Sequence, residues 1–526
     1  MFTPVRRSLR DLVGSEYLDA VIRTNHQLTG RPVDQLRSLA DDPVDFFPPA
    51  FAERSARLAE RAGQRLVDGF DDGLRGAPTD AFQRAQNTAS APLGGLGVCR
   101  IGQDGRVHLA AKSEHYQLSL GHAFPGYQLI DRARELGIPN ATHNNTRGYI
   151  TRLAEAALVA SANGIEEEAE LAALLASEHP RALNRVLNLE TGSLAAETAL
   201  KTMLTRFYDA DGGEASHGGR TPVFLVLGDW AGGPAANYHG TTILAQTLRG
   251  LWPDLAAAAA RAGLCEIVPV PIDDVDGFRQ QFERHNTGGY RVAGFCHEIV
   301  LMNYGGHTLD GEFLRAAYQL CHEHEVPVFC DEIQSGAWYG ELFLFRRYRI
   351  QPDLVAIGKG FPGGVYPASR LLLTPGMDRL SQFGALVTNG QEELASLAYL
   401  ITMEFVRANG ERIDAIGRDY QERLSRLTER FPRLLAAVTG DGHMGCLQFH
   451  QPEVAVEFCR RLDDRGVDIS TQAYKPSAPP TALTKLPVIS DETTVSAVVD
   501  RMESVLQELA PPAGHPGMID RSETTP

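Results

Sequence analysis

Lys359 stands between Gly358 and Gly360, directly after the apolar run Leu354-Val355-Ala356-Ile357. Flanking glycines leave the backbone bare around a nucleophilic amine, so a flat ring can approach it closely. A second apolar run, Val326-Pro327-Val328-Phe329-Cys330, closes on Asp331-Glu332. An amine can form a Schiff base with an aldehyde, and a carboxylate at a strand end can hold a protonated pyridine nitrogen. Those two groups are the minimum that pyridoxal phosphate requires of a protein. The other lysines are Lys112, Lys201, Lys475 and Lys485, and arginine carries the remaining basic positions. Arginine cannot shed its proton to become a nucleophile, so a lysine at 359 points to amine chemistry.

Three further segments have residue types that suit such a cofactor. Thr191-Gly192-Ser193 precedes a helical pattern containing Glu197 and Lys201; free N–H groups at a helix start suit a phosphate, although the same residues suit an ordinary N-cap. Tyr238, in Asn237-Tyr238-His239-Gly240-Thr241-Thr242, offers an aromatic face for stacking. Gln334, three residues after Asp331, offers an amide to a phenolic oxygen. The run Gly358 to Gly363 also matches the spacing G-x-G-x-x-G, but Pro362 and Gly364 oppose the helix a dinucleotide site needs. His322-Glu323-His324-Glu325 is set aside as a metal site, because histidines two apart on a helix face different ways. The polar run His143-Asn144-Asn145-Thr146-Arg147 is a candidate pocket loop, and His122 and His297 read equally well as structural or functional.

These groups need a scaffold, and the chain supplies alternating elements. Strand patterns at 185–189, 223–227, 265–270, 292–295, 299–302, 326–330 and 354–357 alternate with helical patterns at 193–207, 243–250, 275–285 and 311–325. Such alternation implies an α/β fold with a mostly parallel central sheet covered by helices, with ligands at the carboxyl ends of its strands. Asp331 and Lys359 both fall just past strand ends. The expected organisation is a helical N-terminal extension (1–95), a segment packing with the small domain (96–150), a large cofactor-binding domain (151–390), a smaller α+β C-terminal domain (391–510) and a disordered tail (511–526).

Composition excludes several functions. With 43% hydrophobic and 22% charged residues, the chain reads as an ordinary globular protein. A net charge of −16 opposes a nucleic-acid surface, which needs clustered cations. No apolar run approaches the roughly 20 residues of a membrane span, so no membrane partner is expected. The basic start, Met1 to Arg10, lacks a following apolar core, so no secretory signal is expected. Seven dispersed cysteines without a CxxC pair suggest a reduced, cytoplasmic protein.

Together these segments resemble the class III (omega) aminotransferases, enzymes of pyridoxal phosphate fold type I. Asp331-Glu332-Ile333-Gln334-Ser335-Gly336 is similar to the family's D-E-V-Q-T-G. The run Pro352 to Gly360 is similar to P-D-I-x-x-x-G-K-G, Leu120 to Pro125 to L-G-H-x-H-P, and Tyr238-His239-Gly240 to aromatic-H-G. The resemblance runs from about residue 98 to 509. It implies that Lys359 forms the internal aldimine and shuttles the proton, that Asp331 pairs with the pyridinium, and that Gln334 contacts the phenolic oxygen. It also implies that Tyr238 and His239 belong to the ring-binding segment, that Thr191, Gly192 and Ser193 hold the phosphate, and that Glu298 lies near the cofactor. Thr388 matches a threonine that reaches a neighbouring subunit's phosphate, which implies a homodimer with shared sites. The implied reaction moves an amino group between an amine or amino acid and a carbonyl acceptor in ping-pong order.

Several positions depart from the family pattern. Glu190 replaces an asparagine, Leu194 a glutamate, and Gly390-Gln391-Glu392-Glu393-Leu394-Ala395 stands for G-G-N-P-L-A. The late R-x-x-P-P-L, whose arginine clamps substrate carboxylates in many relatives, is replaced by Leu483-Thr484-Lys485-Leu486-Pro487-Val488. Racemases, aminomutases and decarboxylases share the scaffold, so those reactions stand as alternatives, as does a non-catalytic cofactor-binding homologue.

Overall fold

The computed structural model describes residues 1–71, 73–80, 88–113, 117–140, 145–210, 212–228, 241–387, 390–473 and 478–510. Seven strands form its central sheet: β1 (Arg185–Leu189), β2 (Thr221–Leu227), β3 (Glu266–Val270), β4 (Tyr290–His297), β5 (Val328–Asp331), β6 (Leu354–Ile357) and β7 (Ser369–Leu373). Their order is β1-β7-β6-β5-β4-β2-β3. Neighbours among β6, β5, β4, β2 and β3 run parallel, and β7 is antiparallel to both β6 and β1.

Side-chain alternation explains why helices cover both faces. Along β2, Val223, Leu225 and Leu227 enter one apolar cluster, while Phe224 and Val226 enter the other. β6 divides in the same way, with Val355 and Ile357 on one side and Leu354 and Ala356 on the other. A strand buried on both faces reads as a continuous apolar run, which is the pattern that marked these segments.

One strand of the central sheet escaped the sequence reading. β7 carries Arg370 as its second residue, a residue type rarely buried without partners. Here the side chain is 1% exposed. Its guanidinium donates to the carbonyls of Leu189 (3.4 Å) and Ser369 (2.9 Å) and to Ser396 Oγ (3.1 Å). It also lies 4.9 Å from the Tyr399 ring centroid. Local composition could not foretell those partners.

A four-stranded antiparallel sheet (Leu435–Asp441, Met444–Phe449, Thr481–Leu483, Ser470–Gln472) lies beyond the long helices Glu393–Ala408 and Gly410–Arg430. The N-terminal helices Leu9–Val13, Ser15–Thr29, Val33–Asp41 and Pro49–Glu60 build no separate core. Val5, Leu9 and Leu18 share one cluster with Phe405 and Leu506. Phe2 packs against Phe47 and Phe405, at 5.2 and 5.8 Å between ring centroids. Arg501 donates to the carbonyls of Glu60 and Ala62, at 2.9 and 3.1 Å. The first residues are thus bolted to the last helix, Glu492–Leu509.

Glu393, one of the departures from the family pattern, has a structural task. Its buried carboxylate accepts from Ile150 N (2.8 Å) and Thr151 Oγ1 (2.9 Å) at the start of the helix Tyr149–Asn163. It therefore supplies the negative charge and acceptors that this helix end lacks, since Gly148 at the N-cap has no side chain. Among the described residues, no helix is long and apolar enough to cross a membrane. The tail 511–526 lies outside the described residues.

Candidate functional site

Three adjacent parallel strands end together. Asp331 closes β5 opposite Ala356 of β6, and Cys330 pairs with His297, the last residue of β4. Glu298, Asp331 and Lys359 therefore emerge from one edge of the sheet and line one cavity of about 440 Å³. Thr191, Gly192, Ser193 and Gln334 line the same cavity. Tyr238, His239 and Thr388 lie outside the described residues.

Each group is held by its local chain. Lys359 has φ +38°, a left-handed conformation uncommon for a side-chain-bearing residue. Gly360 after it permits close packing: a Cβ there would lie 2.1 Å from Trp338 Cζ3, on an indole that cannot swing aside. Ser119 Oγ donates to the Gly360 carbonyl at 2.5 Å. Asp331 Oδ1 accepts from Ile333 N at 2.9 Å, which fixes the carboxylate at the turn. The neighbouring Glu332 is used structurally. It accepts from Leu344 N (2.9 Å), Phe345 N (2.6 Å) and Ser335 Oγ (2.8 Å), and burial pushes its pKa up to about 7 against those bonds.

The helix Gly192–Leu204 begins at the cavity with Thr191 as its N-cap, accepting from Leu194 N at 3.4 Å. A Cβ on Gly192 would lie 2.9 Å from Ile333 Cδ1, so a larger residue there would have to displace that side chain. Ser193 Oγ and Thr241 Oγ1 hydrogen-bond to each other at 2.7 Å. The segment is a capped helix start whose first residues line the cavity.

Electrostatics tune the cluster. Burial lowers the Lys359 pKa, while Glu298 and Asp331 oppose that shift. Burial and then the Asp331 carboxylate push Glu298 up to about 8, against Lys359, Lys485 and Arg249. Because this value exceeds the ordinary 4.5, the folded cofactor-free protein holds a proton that the unfolded chain has lost. That stabilisation is complete below pH 4.5 and is lost as pH rises through about 8. We expect cofactor-free protein to lose thermal stability across this window and Glu298→Gln to flatten the decline. Parallel profiles in a melting series would contradict the assignment.

Other expectations resolve differently. His297 Nε2 bonds to Tyr318 OH at 2.9 Å, its ring stacks 4.8 Å from that of Phe295, and burial lowers its pKa to about 4. It is part of the packing beneath Glu298. His122 lies in a separate surface cavity with Phe124 and Tyr127. Of the polar run 143–147, residues 143 and 144 lie outside the described residues, and Arg147 turns to Glu155, with Nε to Oε1 at 2.9 Å. Lys485, the cation nearest the missing arginine in sequence, is fully buried and does not line the cavity.

The cavity also contains residues that sequence reasoning did not single out: Gln117, Gln246, Arg249 and Tyr366. Arg249 is the one arginine among the described lining residues and makes no ion pair among the described residues. It sits at the C-terminal end of the helix Ile243–Leu248, where an arginine ordinarily reads as a charge facing the helix dipole. No local signal separates that role from a cavity position.

The residues present fit pyridoxal phosphate. The Oε1 of Gln334 is buried without a hydrogen-bond partner among the described residues, so it awaits a polar ligand atom. An amine, a carboxylate and the start of the helix Gly192–Leu204 surround the same space.

Comparison with known proteins agrees with this geometry. The family model for class-III aminotransferases matches residues 150–506. The mitochondrial ornithine aminotransferase of Oryza sativa is 29% identical over 227 residues, covering 40% of this chain and 46% of that protein. The diaminobutyrate–2-oxoglutarate transaminase of Oceanobacillus iheyensis is 26% identical over 287 residues, covering 51% and 65%. The chain thus spans about half the length of the curated relatives it matches. Among solved structures, the adenosylmethionine-8-amino-7-oxononanoate aminotransferase of Methanocaldococcus jannaschii superposes with a TM-score of 0.65 at 18% identity, over 83% of this chain and 97% of that one. That likeness identifies the fold as pyridoxal phosphate fold type I.

Proposed function

The chain belongs to the class-III aminotransferases, a family that uses pyridoxal phosphate, and from that premise we propose that it transfers an amino group between an amine or amino acid and a carbonyl acceptor. The observation that carries this reading is the convergence of Lys359, Asp331 and Glu298 at the ends of three neighbouring strands, in one cavity with the start of the helix Gly192–Leu204. Lys359 would hold the cofactor's aldehyde, Asp331 its ring nitrogen, Gln334 its ring oxygen, and Thr191, Gly192 and Ser193 its phosphate. When bound, the cofactor supplies an electron sink for the pair left behind as a substrate C–H bond breaks.

The protein's own groups do the rest. Burial lowers the Lys359 pKa from its ordinary value, which favours an amine that takes a proton from substrate carbon and returns it elsewhere. The Asp331 carboxylate, fixed by Ile333 N, keeps a positive charge on the ring nitrogen favourable. A second copy of the chain, completing the site through Thr388, belongs to the same reading.

Arg249 supports a preference for substrates with a carboxylate. Ornithine, diaminobutyrate and 2-oxoglutarate, named for the relatives, all carry one. A guanidinium presents two parallel donors to such a group, and Lys485 is too deeply placed to do so. We expect Arg249→Ala to raise KM for carboxylate-bearing substrates about 10- to 100-fold, with a small effect on uncharged amines. Equal losses for both classes would remove the assignment.

The functional test is spectroscopic. An amino donor should bleach the visible band of the holoprotein, and a 2-oxo acid should restore it, with parallel-line kinetics. Deuterium exchange at the α-carbon without a keto product would instead favour a racemase.

A further inference from the structure

Lys485 is the feature that the proposed reaction leaves unexplained. A fully buried lysine is uncommon, since burial disfavours its charge and removes its rotamer freedom. Its backbone is fixed: Lys485 N donates to the Ala111 carbonyl at 2.6 Å, and Ser113 Oγ donates to the Lys485 carbonyl. The strand Thr481–Leu483 delivers it from the four-stranded sheet to the back of the cavity wall.

Its amine touches two parts of that wall. Nζ donates to the backbone carbonyl of Gln334, the residue whose Oε1 is unpartnered beside the cavity. Nζ also lies 3.6 Å from the centroid of the Trp338 ring. Trp338 is fastened in turn, its Nε1 donating to the Leu486 carbonyl at 3.0 Å. The same indole closes against Gly360, where no Cβ could be accommodated. One amine therefore sits behind both the turn that follows Asp331 and the glycine that follows Lys359. Burial and the Lys359 charge lower its pKa well below the usual lysine range, with Glu298 opposing. In either protonation state an N–H can still reach the Gln334 oxygen and the ring face.

We propose that Lys485 is a positioning residue: its amine holds the Gln334 peptide and the Trp338 ring, and so fixes the Asp331–Gln334 turn relative to Gly360 and Lys359. The sequence position once suggestive of a substrate clamp serves the cofactor wall from behind. This inference rests on the cofactor reading given above.

The test compares Lys485→Met, which keeps length and removes the donor, with Lys485→Gln, which keeps an N–H donor. Both are also made in a Gln334→Ala background. Cofactor affinity is read by absorbance titration of cofactor-free protein, together with the position of the visible band. We expect Lys485→Met to weaken cofactor binding about 10- to 100-fold and to move the band. We expect Lys485→Gln to recover most of both, and the effects of Lys485→Met and Gln334→Ala on affinity to be non-additive, because both act on the same turn. Should Lys485→Met fail to fold, Lys485→Gln carries the test: wild-type-like affinity and band support the role, and a loss as large as that of Gln334→Ala overturns it. Lys485→Met matching wild type in affinity and band also overturns it, as do effects that multiply independently of Gln334. A wild-type protein that never acquires the band retires the cofactor reading itself, and this inference with it.

Discussion

Lys359→Ala will be inactive, with turnover reduced by at least about 10⁴-fold, and it will lack the visible band of a covalently held cofactor. Two functions are lost together: the covalent anchor and the proton carrier, and positioned proton transfer alone contributes about 10²–10⁴-fold. The fold should survive. Burial opposes the charged form of the amine, so removing it relieves a desolvation cost rather than breaking the packing. Lys359→Arg will not rescue, because a guanidinium neither forms the bond nor releases a proton near neutral pH. Added amines of small size should restore a fraction of turnover in the alanine variant, since they fit the vacated volume and can carry the proton. Substantial activity in Lys359→Ala without an added amine would contradict the role.

Asp331→Asn will retain its structure and lose about 10²–10³-fold in turnover. The asparagine Oδ1 can still accept from Ile333 N, the 2.9 Å bond that fixes this turn. The negative charge goes, and with it the reason for the ring nitrogen to stay protonated inside a low-dielectric wall. The loss should appear mainly in kcat, because the charge matters most when electrons move into the ring. Asp331→Glu tests position separately from charge: a longer side chain keeps the carboxylate but displaces it, and should fall between the two. Wild-type turnover in Asp331→Asn would show that the ring nitrogen is served by another group.

How much of this was legible in the sequence depends on how local each signal is. β5 and β6 announce themselves as apolar runs that end on Asp331 and Gly358-Lys359-Gly360, and a parallel sheet places ligands at such ends. The pair therefore came directly from residue type and position. β7 did not, because Arg370 near its start is compatible with a buried strand only through Leu189, Ser369, Ser396 and Tyr399, which no local window contains together. The positions of Arg249 and Lys485 were hidden for the same reason. Lys485 looks like a substrate cation by its place in the chain, but the strand before it runs behind the wall. Arg249 looks like a helix-end charge, but its helix ends at the cavity. Glu393 reads as a departure from the family pattern, and its partners at Ile150 and Thr151 lie more than two hundred residues away in sequence.

The N-terminal helices illustrate the converse limit. The sequence marks 1–95 as helical, yet nothing in it says that Phe2, Leu9 and Leu18 complete a core shared with Phe405 and Leu506. Amphipathic helices disclose that a partner face exists, and only the fold discloses which one.

Borohydride reduction of the holoprotein, followed by digestion and mass mapping of the modified peptide, decides whether Lys359 anchors the cofactor. One pyridoxyl group is expected, carried by the side chain of Lys359. A pyridoxyl group on Lys485 or any other lysine, or none at all after reconstitution with pyridoxal phosphate, would contradict it.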